Sequence, residues 1–453
     1  MSISNRFAEF VFGLTYNALP ESVTIEAKRR ILDNLGAAVA GCSNWAYHDN
    51  LLSACARLGI GDADVIGGSE QRYSIARAAM INTAFAQADE LDDGHVYAGV
   101  HAGCCVVPAV MVMGSQVGKC GKDIITAVVL GYEIVYRLAV AMCPHLVRKG
   151  FHPSSVLDVC GVLAATGKLM DLSIEKLTNG FGLAGLYGAG FMEATVAGQQ
   201  SKGVMTGNAT ANGIMAAYLA DCGFEGTLSV FEGQAGMFRV MSHDVDPEKV
   251  CIGLGTEFII GDTYSKMYST CRHAQAAIQA AIDLHKEYGF YWKDIKSIHV
   301  DTYQVAKDLT GDIYEPKNQG EAKFSMPYGI ALGLIEGNIA SYHMKKEYYM
   351  DSLYLNLAKR VKIFVDLKLE KMYPEKRCSR VSIVLEDGTT YKNECFDLKG
   401  SPNNPIGWDE LVEKFADNST PLFGYEKAMY LAERIANIEN EKNIASLYSE
   451  FCK

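Results

Sequence analysis

The sequence predicts a mainly α-helical protein with an inserted α+β domain, and three observations lead there. Apolar residues recur at helical spacing, among many Ala and Gly, through most of the first 260 positions. After residue 262 the texture changes to apolar–polar alternation interleaved with helical stretches. Helical spacing returns beyond residue 402. The simplest architecture is an all-helical domain made of 1–262 and 402–453, with a smaller α+β domain over 263–401. No fixed-period repeat of the kind a solenoid needs is present.

In chain order, Val23, Ala27, Ile31, Leu35 and Val39 mark one buried face of a helix from Glu21 to about Gly41, with Pro20 just before it. Ser74 can cap a second helix lined by Ile75, Ala78, Ile81, Phe85 and Ala88, which runs into the acidic stretch Asp89-Glu90-Leu91-Asp92-Asp93. Helical spacing continues over 124–142, 156–170, 174–189 and 208–221, and little before residue 260 reads as strand. Gly188-Ala189-Gly190 lacks the third glycine and the preceding strand of a dinucleotide loop, so close helix packing is expected there. Ile298 and Val300 alternate with His299 and Asp301, a strand; Val381, Ile383 and Leu385 lead through an Asp387-Gly388 turn to Tyr391, a hairpin. Gly329–Glu336 and Ser352–Ile363 read as helical, as do Trp408–Ala416 and Glu426–Ile438.

Composition narrows the function. Of the 453 residues, 49% are hydrophobic and 21% charged, enough apolar material for a large core and too much for disorder. A net charge of −11 gives no general field for nucleic acid or anionic lipid, so an anionic ligand requires a local cationic pocket. Ile124–Met142 approaches membrane-spanning length but carries Glu133 and Arg137 four apart, placed to pair, and reads as a buried helix of a soluble protein. The start MSISNRFAEF lacks the features of a secretion signal, and a cytoplasmic location is expected. Thirteen cysteines without a C-x-x-C pair, only Cys104 and Cys105 being adjacent, point to free thiols and to no local metal or iron–sulfur motif. The nucleophile elbow, the phosphate loop and the H-E-x-x-H zinc helix are all absent.

Four clusters place ionisable residues among small ones. The first is the acidic stretch with Gly94, His95 and His101, which suits a metal site, an acid–base site or a plain solvated helix end. The second is Gly150-Phe151-His152-Pro153-Ser154-Ser155: proline holds His152 extended beside a helix start near Val156, where a carboxylate could dock or Ser154 or Ser155 could cap. The third is Gln199-Gln200-Ser201-Lys202-Gly203, and the fourth runs from Lys266 through Cys271, Arg272 and His273. Two cationic loops in an acidic protein could together hold a polycarboxylate.

These clusters, in this order, resemble the MmgE/PrpD family. The resemblance runs nearly end to end and adds RILDNLG over 30–36, EAKFSMPY over 321–328 and KGSPNNP over 399–405. It implies a homodimer of two-domain subunits, a helical domain with a smaller α+β lid, and a site between them that uses neither cofactor nor metal. It carries the family's acid onto Glu90, its histidines onto His101 and His152, its lysines onto Lys202 and Lys266, and its tyrosine onto Tyr328. Glu90 stands where decarboxylase-like members have Asp, Gly94 where Thr is frequent, and Gln275 where many have His. Cys271 takes the place of the decarboxylases' catalytic His, which weighs against decarboxylation because a thiol does not donate a proton in the same way.

The expected chemistry is proton removal beside a carboxylate of a small di- or tricarboxylic acid, followed by loss of water. Decarboxylation ranks second and epimerisation third, and a non-catalytic carboxylate-binding or scaffold protein is the rival of a different class. Lys202, Lys266 and Arg272 are expected to clamp and stabilise negative charge, with Cys271, His95 and Ser154 also contacting substrate. His101 or His152 is the expected acid or base, Glu90 or Asp93 orients a histidine, and Tyr328 is a second donor.

Overall fold

The structure is a computed structural model that describes residues 1–196, 200–242 and 245–453. Two separate hydrophobic cores organise it. One gathers Ile3 to Ile260 together with Ile406 to Phe451; the other gathers Tyr268 to Leu398.

In the larger, helical body, Glu21–Asn44 lies against Ile75–Ala88 on one side and Trp408–Phe423 on another, so the C-terminal helices close over the N-terminal ones. Ile75–Ala88 packs along Lys202–Asp221, and Gly121–Met142 along Pro153–Leu169. Small residues permit these close crossings. A Cβ on Gly161 would stand 2.7 Å from the carbonyl oxygen of Gly131 on the neighbouring helix, closer than real side chains approach.

Gly121–Met142 is, among the described residues, the helix long and apolar enough to cross a membrane, and most of it is buried inside the helical body. Glu133 and Arg137 do pair, at 3.4 Å, and both are buried. Glu133 also accepts hydrogen bonds from the backbone of Ile259 (2.7 Å) and Ile260 (3.0 Å), while Arg137 donates to the carbonyls of Ile252 and Glu257. The pair therefore pins the chain just before it enters the second core. All thirteen cysteines are free thiols.

The smaller body holds a four-stranded sheet in the order Val361–Val365, Ile295–Thr302, Ser379–Leu385, Thr390–Cys395, its first pair parallel and the others antiparallel. Ile298 faces Ile383 and Val300 faces Val381, which puts both alternating runs on one buried face. Helices Arg272–Tyr288 and Met326–Glu336 pack with that sheet in the second core.

The elements differ from expectation in several places. The helix read over 352–363 ends at Ala358, and Val361–Val365 is the parallel edge strand, with Val361 and Ile363 on the more buried side. Five residues are too few for helical and strand spacing to be told apart. Short strands also occur early: Ile60–Ala63, and Gly94–His95, which pairs with Thr263–Tyr264 and ties the acidic stretch to the segment leading into the second core. Lys202–Asp221 begins six residues before the expected 208, and Pro153–Leu169 begins at its proline, ahead of Val156.

Gly161→Ala is expected to destabilise the protein by about 1–3 kcal/mol through overpacking of the 121–142 and 153–169 crossing, measured by urea unfolding.

Candidate active site

The helix Ile75–Ala88 stops at Asp89, its C-cap, and the next residue, Glu90, takes a left-handed φ of 52°. Side chains rarely hold that conformation without a compensating role. Beyond it the acidic residues fan out in different directions. Asp89 pairs with Lys323 at 2.9 Å. Glu90 binds two lysines, Lys202 at 2.5 Å and Lys266 at 2.9 Å. Asp92 takes Lys266 at 3.0 Å and lies 3.2 Å from His101 Nδ1. Asp93 turns away, accepting from the Tyr132 hydroxyl (2.5 Å), Asn34 (3.0 Å) and the backbone of Gly103 (3.3 Å), with Arg30 3.8 Å off.

Four long helices begin at this cluster. His101 is the N-cap of Ala102–Val117, His152 of Pro153–Leu169, Ser201 of Lys202–Asp221 and Cys271 of Arg272–Tyr288. Each start presents the positive end of a helix dipole, which disposes the cluster toward anions beyond its lysines, and some of the first N–H groups are already taken, Gly103 by Asp93 and Ser155 by His152. Pro153 occupies the first helical position, where its missing N–H costs nothing, and holds His152 extended. The cap at this helix is His152 itself, whose side chain accepts from Ser155 N–H; Ser154 accepts instead from the backbone of His101 at 2.8 Å and so positions that loop.

The hydrogen bonds fix both histidine tautomers. His101 Nδ1 lies 2.6 Å from the carbonyl oxygen of Asp93, which can only accept, so Nδ1 carries a proton and in the neutral ring Nε2 is the acceptor. His152 Nδ1 accepts from the backbone N–H of Ser155 at 3.4 Å, so in the neutral ring the proton sits on Nε2, a donor. Burial, with help from the charge of Lys202, pushes the His152 pKa down to about 3, which keeps the ring neutral at pH 7.

Charge states follow from the same packing. Burial pushes the Glu90 carboxyl up, but Lys202 and Lys266 outweigh it and bring its pKa down to about 2. Asp92 is likewise held well below the usual range, burial being overcome by Lys266 and His101. Asp93 goes the other way, to about 6, because burial dominates over Arg30. Both lysines are raised, their acids prevailing over burial, and stay charged. Burial and Glu90 lift the Cys271 thiol to about 11, so it stays protonated. A cavity of about 30 Å3 touches Glu90, Lys202 and Lys323, too small to hold a tricarboxylic acid as it stands.

Glu90, His101, His152, Lys202, Lys266 and Cys271 therefore share one site. The carboxylate beside His101 is that of Asp92, whereas Asp93 touches His101 through its carbonyl. Tyr328 lies in the second core, donating to the carbonyl of His343 at 2.9 Å and away from this cluster. His95 packs edge-on to Tyr136 and accepts from Tyr97 and Ala98 backbone N–H groups. Arg272 faces another cavity, bonded to Ser401 and Gln275. Gln199 lies outside the described residues. Lys323 is the group that sequence reasoning passed over, although it stands in the 321–328 motif; it also donates to the Ala88 carbonyl at 2.7 Å.

Residues 5–250 match the MmgE/PrpD N-terminal domain and residues 268–440 the MmgE/PrpD C-terminal domain. The chain belongs to the MmgE/PrpD family. This MmgE/PrpD protein is 27% identical over 354 residues to the cis-aconitate decarboxylase of Aspergillus terreus, a match covering 74% of this chain and 72% of the other. It is 25% identical over 468 residues to that of Homo sapiens, covering 98% and 94%. A probable 2-methylcitrate dehydratase of Saccharomyces cerevisiae is 32% identical over 127 residues, 26% of this chain and 24% of the other.

Because Glu90 has a depressed pKa in the folded protein, its contribution to stability is present above about 4.5 and lost as pH falls toward about 2. Unfolding free energy measured between those pH values is expected to fall, and Glu90→Gln to show a shallower slope.

Proposed function

We propose that this protein is a lyase acting on a small di- or tricarboxylic acid, removing a proton beside a carboxylate and expelling a β-hydroxyl as water. The observation that carries this reading is the opposite tautomers of His101 and His152 beside charged lysines.

Removing a proton next to a carboxylate builds a dianion of enolate character, which needs cations and donors in a place shielded from water. Each ammonium has three donors; Lys202 uses one on Glu90 and Lys266 two on Glu90 and Asp92, which leaves N–H groups on both for a substrate carboxylate. The four helix starts add fixed positive ends. His101 takes the proton at Nε2, and Asp92 and the Asp93 carbonyl hold Nδ1–H and stabilise the imidazolium that results. His152 Nε2–H, on a neutral ring, hydrogen-bonds the departing hydroxyl, and the His101 imidazolium returns to it the proton it took, so that it leaves as water.

Dehydration is favoured over decarboxylation because the imidazolium formed on His101 is an acid placed for a leaving hydroxyl, while position 271 offers a neutral thiol with a pKa raised to about 11. The relatives that span this chain are named as decarboxylases, which keeps loss of CO2 as the second reading. Reprotonation of the same dianion would give epimerisation.

Incubated with a panel of hydroxy di- and tricarboxylic acids, the protein is expected to generate an alkene that absorbs in the ultraviolet, without CO2 release. His101→Gln is expected to reduce turnover roughly 10²–10⁴-fold with the fold intact, and Asp92→Asn to reduce it far more than Asp93→Asn. Proton exchange in D2O without alkene would identify an isomerase instead. Binding without turnover across the panel would mean a carboxylate-binding protein.

The reading includes a homodimer. Exposed Leu186, Phe191, Val196, Phe224 and Leu228 on the helical body suit burial against a second copy. Light scattering is expected to give twice the 49.4 kDa chain mass.

A further inference from the structure

Arg272 and Arg377 are both drawn toward one small cavity at the seam of the two bodies, of about 100 Å3, which Tyr264, Ser401 and Asn403 also line. The Arg272 guanidinium lies 4.3 Å over the Tyr264 ring, donates to Ser401 Oγ at 2.6 Å and to Gln275 at 3.2 Å, and is nearly buried. Arg377 donates to the carbonyl of Val96 across the seam at 2.6 Å, and its Nε is buried with no hydrogen-bond partner. Nearby His95, only 1% exposed, has an unpartnered Nε2, 4.0 Å from Asp262.

The charges here do not balance locally. Among the described residues, neither arginine forms an ion pair with a carboxylate. Three acids line the same cavity, but Asp397 is paired with Lys376 at 3.2 Å, Asp262 stands beside His95, and Glu375 pairs with neither arginine. Arg272 has its pKa lowered to about 10, first by burial and then by the charge of Arg377. Two guanidinium groups that repel each other in a desolvated place are unfavourable unless something negative joins them.

We propose that this cavity is a binding site for a compact oxyanion of phosphate or carboxylate chemistry, held between Arg272 and Arg377 and separate from the Glu90 site. Planar guanidinium forks match the oxygen spacing of such anions, and the Ser401 and Tyr264 hydroxyls and the Asn403 amide are available as further donors. Arg272 and Arg377 share no hydrogen bond with Glu90, Asp92, Lys202 or Lys266. The bound anion braces the seam, because Tyr264 belongs to the strand pair with Gly94 and Arg377 reaches Val96 on the same segment. That segment continues directly from Asp92 and Asp93, so occupancy also steadies the acidic stretch. The proposal stands apart from the reaction assigned to the Glu90 site.

The test is a thermal-shift titration of the full chain with inorganic phosphate and, separately, malonate. A saturable rise in melting temperature is expected in the parent and in Lys202→Ala, with at least tenfold weaker apparent affinity in Arg377→Gln. A rise with malonate alone supports the site and identifies its ligand as a carboxylate. No saturable rise with either anion, a rise that survives Arg377→Gln, or one abolished by Lys202→Ala overturns the proposal. Should Arg377→Gln fail to fold, crystals of the parent grown with selenate decide: an anomalous peak between Arg272 and Arg377 supports the site, and none overturns it.

Discussion

Lys266 is fully buried with two carboxylates, and the rest of the site is arranged around that contact. Its ammonium joins Glu90 to Asp92, Lys202 closes the other side of Glu90, and Lys323 holds Asp89 one residue earlier. Lys202 comes from the helical body, whereas Lys323 belongs to the α+β body and Lys266 to the segment entering it. The charged centre is complete only when the two bodies meet. Each ion would be costly to bury alone, and removing one partner of such a pair typically costs about 3–5 kcal/mol. The seam is thus held by groups that are costly to leave singly in a dry interior.

The acidic protein concentrates positive potential locally by two devices. At the Glu90 site, lysines are combined with four helix starts, each the positive end of a helix dipole. At the seam cavity, arginines are used, which are planar and are not readily neutralised. The distinction is physical. Lysines already occupied by acids can exchange a protein carboxylate for a substrate carboxylate, whereas guanidiniums without acids have nothing to give up.

Much of this was legible in the residues. The helical texture, its change after 262 and the hairpin around Asp387-Gly388 are periodicity signals, and the structure has them. The 352–363 stretch failed because a short helix abuts a short strand with no glycine or proline between them. Within the site, His152 was legible through its proline, and the two lysines through their settings among glycines or small residues. Glu90 or Asp93 was expected to orient a histidine; His101 meets the backbone carbonyl of Asp93 and the carboxylate of Asp92, because the chain leaves helical geometry at Asp89 and turns at Glu90, so side-chain direction cannot be counted off from spacing there. Tyr328 was misplaced for a related reason: its motif does reach the site, but through Lys323, on the preceding turn.

The divided loyalties of residues 89 to 93 set what kind of change this stretch can absorb. Five neighbouring positions answer to five surroundings: Lys323, the Lys202 and Lys266 pair, Lys414 at the Leu91 carbonyl, His101, and the Tyr132 and Asn34 pocket. Exchanging one side chain disturbs one of these. Inserting or deleting a single residue would hand every position its neighbour's surroundings, much as a one-tooth slip misaligns a whole gear, so the length of this stretch is more strictly constrained than any one of its letters.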